Sequence, residues 1–228
     1  MMKHHTIPLA TLCKGGGSYG IAASAVEYSA NLPTYLRITD INDDGTLNKS
    51  GLKSVDDPDF INYYLKPNDI VFARTGASTG RNYFYDGGDG GLVYAGFLIK
   101  FSIDPQKVNP RFVKYYCQSK DYRDWVRSFN TGSTRGNINA QTLGNMPIPL
   151  LPRSQQDLLA DILSALDEKI AINTKINHHL AVAMSATDNS PDIRRGRRVS
   201  RRVASFRLSI RFSITCSYNG LISLLIAA

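Results

Sequence analysis

The period of the apolar positions changes along the chain, and each change predicts an element. "DIVFAR" (69–74) is a short unbroken apolar run that reads as a buried strand. "PTYLRITDI" (33–41) has strand composition and lies between Pro33 and the turn "NDDG". "NYFYDGGDGGLVYAGFLIKFSI" (82–103) predicts two aromatic-rich strands around a flexible glycine turn at 86–91. Over 109–129 the spacing becomes helical, with Phe112, Tyr115 or Tyr116, Tyr122, Trp125, Val126 and Phe129 at roughly threes and fours. Asn109 is placed as its N-cap and Pro110 in its first turn. Together these elements predict an α/β (α+β mixed) domain over 1–152, with a mixed β-sheet and flanking helices.

The strongest pattern begins at Ser154. "SQQD" predicts a capping box, with Ser154 as cap and Asp157 reaching back. Leu159, Ile162, Leu163, Leu166, Ile170, Ile176 and Leu180 form an apolar stripe, and no Gly or Pro falls between Ser154 and Met184. A helix of that length is ~45 Å long at ~1.5 Å per residue. Lys169 and Asn173 interrupt the stripe, as polar residues do where a helix seam selects one register and one partner. A core helix packing on its own domain is one reading. The stripe outruns a typical globular helix, which favours a partner helix. Residues 153–185 are therefore expected to be a long, coiled-coil-type spacer or dimerisation helix.

The tail over 186–228 differs in kind. "SPDIRRGRRVSRR" is Arg-rich, broken by Gly and Pro, and reads as disordered, while "FRLSIRFSITC" alternates like a half-buried strand. The change near 184–188 suggests a frameshift or a recombination junction. The alternative is a native nucleic-acid-binding arm.

Charge sharpens this division. The chain of 228 residues has a formal charge of +8. Residues 186–228 hold eight Arg and two Asp, so the body contributes only +2. The basic balance is a tail property and says little about the body's partners. Cys13, Cys117 and Cys216 are isolated, which fits a reducing cytoplasm without structural zinc. No apolar run follows the N-terminal Lys3, so no signal peptide is expected, and "LISLLIAA" falls short of the ~20 apolar residues that a membrane span needs. A soluble cytoplasmic protein is expected.

Motifs for catalysis fail on spacing. "TGASTGR" (75–81) has three residues between its glycines where a P-loop needs four, and Arg-Asn follows instead of Lys-Ser/Thr. "NPRF" (109–112) lacks the second proline of the amino-methyltransferase motif. The two Glu, Glu27 and Glu168, give no acid cluster for a metal-dependent nuclease. His4-His5 and His178-His179 are adjacent pairs, and helix neighbours diverge by about 100°. No GxSxG elbow is present. No catalytic residues, metal ligands or cofactors are expected.

Two loops carry a different chemistry. "RTGASTGRN" (74–82) and "TGSTRGNIN" (131–139) are rich in Gly, Ser, Thr and Asn, with Arg74, Arg81 and Arg135 interleaved. Gly lets backbone N–H groups approach phosphates, the small polar side chains hydrogen-bond phosphates or base edges, and Arg forks onto guanine. Ordinary turns have the same composition.

Here the chain resembles a family. "LKPNDIVFARTGASTGRN" is similar to the Pro-Gly-Asp-hydrophobic-Arg-Thr-Gly-x-Gly-Lys segment of type I restriction-modification specificity subunits. "GSTRGNINAQTLGNMPIPLLPRSQQDLLADILSALDEKIAINTKINHHL" resembles the segment that closes a target recognition domain and begins the spacer helix. "IPLATLCKGGGSYG" and "YLRITDINDDG" resemble the domain's opening, so the resemblance spans roughly 5–182. Asn68 stands where Gly is usual, Arg81 replaces Lys, Leu151 replaces Pro and Gln155 replaces Glu.

The resemblance implies a non-catalytic DNA specificity subunit. Each recognition domain reads half of a split double-stranded DNA site, and the helices set the gap and dock the methyltransferase subunit, with a restriction/translocase subunit joining. Arg74, Thr75, Ser78, Thr79 and Arg81, with Ser133, Thr134, Arg135 and Asn137, are the candidate DNA contacts. Tyr19, Arg37 and Thr39 are the weaker ones. The usual chain has two domains and two helices, and this one carries one of each. It is either a half-subunit that forms a homodimer through the helix or a truncated, recombining cassette. A helix-mediated interaction module without DNA binding, and an enzyme with a cryptic site, are the alternatives from other classes.

Overall fold

The computed structural model describes residues 5–129 and 137–187. Among the described residues, ten strands form three sheets. They are β1 (Thr6–Pro8), β2 (Ser18–Tyr19), β3 (Ala25–Val26), β4 (Thr34–Leu36), β5 (Lys53–Val55), β6 (Asp69–Ala73), β7 (Asn82–Tyr85), β8 (Leu92–Tyr94), β9 (Leu98–Ser102) and β10 (Pro147–Pro149). The helices are α1 (Pro110–Tyr116), α2 (Lys120–Arg127), α3 (Ala140–Gly144) and α4 (Arg153–Thr187).

β6 organises the domain. It lies inside the antiparallel sheet β2-β9-β6-β7 and is buried along its whole length. Its side chains alternate between two cores. Ile70 and Phe72 face one built with Phe101, Phe112, Tyr122 and Leu143, while Val71 and Ala73 face one built with Leu36, Tyr83, Tyr94 and Leu98. Burial on both faces explains the continuous apolar run of the sequence, since each alternate position has a core to fill. The second sheet, β3-β5-β4-β8, holds one parallel pair, β4 with β8. β1 and β10 pair antiparallel and join the two ends of the domain. The mixed α/β architecture is as expected.

Several local expectations are corrected. The glycine turn at 86–91 closes no hairpin: β7 pairs with β6, whereas β8 crosses to the other sheet beside β4. The segment 82–103 thus makes three strands instead of two. Gly87 and Gly90 take positive φ of 99° and 75°, and the Tyr83 and Tyr85 hydroxyls clamp the turn by donating to Asp89 and the Gly90 carbonyl. In 33–41 the strand stops at Leu36, and Ile38–Asp40 is a short 3-10 turn because the Asp40 carboxylate turns back onto the Arg37 N–H (2.9 Å).

The helical stretch 109–129 is broken in two. Asn109 caps α1 as expected, its side chain accepting from the Arg111 N–H at 2.9 Å. Ser119 then caps α2 by accepting from the Tyr122 N–H. The Cys117 carbonyl, at the break, accepts from the Asn82 side chain at 2.8 Å instead of continuing a helix. Asn68 has φ of 74°, and it is the non-glycine residue with positive φ among the described residues. It occupies the position where the family resemblance expects Gly, and Asn is the side chain that best tolerates this conformation.

The expected capping box of α4 does not form. The helix starts one residue earlier, at Arg153, and Asp157 accepts from the Asn109 side chain (2.6 Å) and from Arg153 Nε (2.8 Å). The apolar stripe splits along the helix. Leu159 and Leu163 are buried in the main core and Leu166 packs against it. Ile162, Ile170, Ile176 and Leu180 are exposed. Polar contacts to α1 reinforce the buried part: Arg111 pairs with Asp161 at 2.7 Å, Lys114 with Asp167 at 3.1 Å, and the Tyr115 hydroxyl donates to Asp167 at 2.8 Å. Among the described residues no helix is long and apolar enough to cross a membrane. The expected disorder and strand of the tail lie outside the described residues from 188 onward.

Candidate nucleic-acid interface

The antiparallel register of the main sheet brings four chain segments to one edge. The end of β2, the start of β9, the end of β6 and the start of β7 all meet there. Tyr19, Phe97, the loop 74–79 and Arg81 therefore share a rim. The second predicted loop joins it from far along the sequence. Asn137 forms a β-bridge with Thr75, and the Ile138 N–H donates to the Arg74 carbonyl at 2.9 Å. The described end of the second loop, from Asn137, is thus a neighbour of the first in space.

Tyr19, a weaker candidate from the sequence, sits at the centre of this junction. Its ring lies under the Arg74 guanidinium, 5.0 Å from centroid to charge. Its hydroxyl accepts from the Ala140 N–H at 3.3 Å. The Arg74 N–H donates to the Phe97 carbonyl at 3.1 Å. Thr79 donates to the Gly76 carbonyl at 2.7 Å, and Ser78 is buried beneath the loop. The loop is braced from below: the Tyr122 hydroxyl donates to the Gly80 carbonyl, and a side chain at Gly80 would strike Val126.

Arg37 and Arg81 stand in a different setting. Arg37 makes a bidentate pair with the buried Asp40, at 2.9 Å from Nε and 2.7 Å from Nη2, and reaches the Gly51 carbonyl at 3.1 Å. The Asp40 carboxylate holds its guanidinium above the ordinary arginine value. Thr39 also donates to Asp40, at 3.4 Å. Arg81 pairs with Asp43 at 2.7 Å and donates to the Ile41 carbonyl at 3.2 Å. Ser133, Thr134 and Arg135 lie outside the described residues.

Sequence reasoning missed Phe97. It is 60% exposed on the rim beside Arg74, in the turn between β8 and β9. A lone Phe after Ala-Gly inside an apolar run carried no signal of exposure. The described residues hold no group of three or more potential metal ligands. Burial pushes the Cys13 thiol up to about 12 and the Cys117 thiol well above its ordinary value, so neither is a thiolate nucleophile at neutral pH.

Residues 28–181, which include Arg74, Phe97 and most of the long helix, match the family of the type I restriction modification DNA specificity domain. The chain belongs to that family. No curated protein matches it. A solved chain from work on complex assembly and conformational transition of the type I R-M system is similar at 14% identity and a TM-score of 0.51, covering 84% of this chain and 51% of that one. The type I restriction-modification S subunit from M. genitalium is similar at 18% identity and a TM-score of 0.51, covering 83% and 48%. At these identities the likeness speaks for the fold. This specificity-domain chain spans about half the length of each.

The specificity domain's long helix offers a second surface. Leu158, Ile162, Ile172 and Ile176 are exposed and fall at heptad-compatible spacings of four and ten residues. Ile170, Leu180 and Val182 are exposed too. Of the residues predicted for a helix interface, Leu159 and Leu163 are buried in the domain's own core and Leu166 packs against it, partly buried. Leu158, Ile172 and Val182 were not predicted, because periodicity cannot tell which of two adjacent apolar stripes the domain will cover.

Proposed function

We propose that this chain is a half-subunit of a type I restriction-modification specificity subunit. Residues 1–152 read one half of a split double-stranded DNA site, and residues 153–185 are the spacer helix. The observation that carries this reading is the junction of the first loop with residues 137–138 at one sheet rim, with Arg74 over Tyr19 and bonded through its backbone to Phe97 and Ile138. Loops braced on a rigid sheet hold hydrogen-bonding groups in fixed register, as recognition of DNA needs. Thr75, Thr79 and Asn137 supply polar groups at the rim, and Ser133, Thr134 and Arg135 are further candidate contacts. Ser78 supports the loop from within.

The chain performs no chemistry of its own. It brings a methyltransferase subunit and a restriction/translocase subunit to DNA in the cytoplasm. The exposed far half of α4 pairs with a second copy, which places two recognition domains in a two-fold arrangement and gives a symmetric split site. The tail over 186–228 is a junction product without a role in recognition.

The test is a binding selection of the full chain on random duplex DNA, with and without a candidate methyltransferase subunit. A split motif with two-fold symmetry is the expected result. One short half-site would retain the DNA reading and remove the homodimer. No enrichment in either condition would overturn the proposal in favour of a silent cassette or a protein-only module.

A further inference from the structure

Three arginines that the sequence offers as DNA contacts, Arg37 the weaker of them, have unequal surroundings in the fold. Arg37 and Arg81 each face a carboxylate, Asp40 and Asp43, and each also donates to a backbone carbonyl. Their charge is neutralised within the protein, and Arg37 meets Asp40 with both Nε and Nη2. Arg74 has neither. No carboxylate pairs with it, and no acceptor meets its side chain among the described residues. Its Nε is buried without a partner. A buried unpaired donor is costly, so the charged head is kept there by the Tyr19 ring beneath it.

The geometry points to Arg74 as a phosphate-gripping cation of the rim, with Arg37 and Arg81 as internal struts. This rests on the DNA-reading function proposed above. Arg74 is half-buried with its guanidinium 5.0 Å over the Tyr19 ring and its Nε buried, and its backbone is bonded on both sides, to Phe97 and Ile138. A side chain held against its own domain, with Nε buried and its head over Tyr19, does not project to the floor of a major groove about 8.5 Å deep. It can meet a phosphate, which lies at the outside of the duplex. An uncompensated charge whose stem is already ordered loses little freedom on meeting an anion. Phe97 is the exposed rim neighbour left to pass beyond it. Arg81 and Arg37 instead tie the segment 40–51 to the sheet edge, through Asp43, the Ile41 carbonyl, Asp40 and the Gly51 carbonyl.

The experiment is the salt dependence of duplex binding by the full chain, on the selected motif and on a scrambled duplex. Arg74→Ala and Arg74→Met are compared with wild type, the second keeping an apolar stem over Tyr19. Both variants are expected to weaken binding to the two duplexes by the same factor. The salt slope should fall by about one, so the wild-type advantage shrinks roughly three- to fourfold between about 50 and 200 mM salt. The double variant Arg81→Ala with Asp43→Ala removes a neutral pair and should leave the slope unchanged. Lost preference at one base pair with an unchanged slope in Arg74→Met would make Arg74 a base reader and overturn the assignment. A slope lowered by the Arg81/Asp43 double variant would overturn the strut role. A wild-type chain that binds neither duplex would overturn the DNA-reading function itself.

Discussion

The two halves of α4 make a controlled comparison within one helix. Both carry apolar residues at threes and fours, and both lack Gly and Pro. The near half buries Leu159 and Leu163 and is tied to α1 through Asn109, Arg111, Lys114 and Tyr115. The far half leaves Ile172, Ile176 and Leu180 about half exposed, at 56%, 49% and 56%. An amphipathic stripe therefore states that a helix needs a partner and does not name the partner. The near half finds it in its own domain. Among the described residues the domain core reaches no further along the helix than Leu166, and the exposed apolar face of the far half would gain by covering.

The comparison can be broken most severely at Leu163, which is 1% exposed. Leu163→Ala should destabilise the domain by about 2–5 kcal/mol, through lost burial and a residual cavity. Denaturant unfolding read by the single tryptophan, Trp125, would check this. A loss below about 1 kcal/mol would mean that the near half is not part of the core.

Asn109 comes next, because it serves both α1 and α4. Its side chain caps α1 and donates to Asp157, and its N–H donates to the Gln156 side chain. Asn109→Ala should cost about 0.5–2 kcal/mol as a lost cap. It should also raise hydrogen exchange in the first turns of α4, leaving the far turns unchanged.

Leu180→Ala should change the stability of the monomer by less than about 0.5 kcal/mol. If the far half pairs with a second copy, the same substitution should weaken the dimer. Sedimentation across a concentration series separates the two effects.

The smallest effect is on the acid side. Asp157 is held below the usual carboxylate range, first by the Asn109 amide and then by Arg153. A depressed folded value stabilises the folded state at pH above the ordinary value of about 4. That contribution is lost as pH falls through the lowered value. Asp157→Asn should therefore flatten the decline of the urea midpoint below about pH 4, with little change at neutral pH.

The site shows the same contrast between pattern and placement. Loop composition marked 74–82 and 131–139, and the helical cap at Asn109 was legible because an Asn-Pro pair has a local cause. The junction of Thr75 with Asn137 was not legible, since 62 residues separate them and a bridge between them depends on how β6 and α3 are packed. Nor was the pairing of Arg81 with Asp43, which the crossing of the chain between two sheets brings about. The glycine turn at 86–91 misled because its residues fit a hairpin, whereas the flanking strands found better partners in different sheets.

By itself the sequence determined what depends on near neighbours: the buried run of β6, the cap of α1, the length of α4 and the small polar loops. Those features rest on backbone preference and on side-chain period, which act over a few residues. Only the tertiary structure decided which half of α4 is covered and which of three arginines lacks a counterion. Burial and charge compensation depend on groups far apart in the chain, and only packing brings those groups into contact.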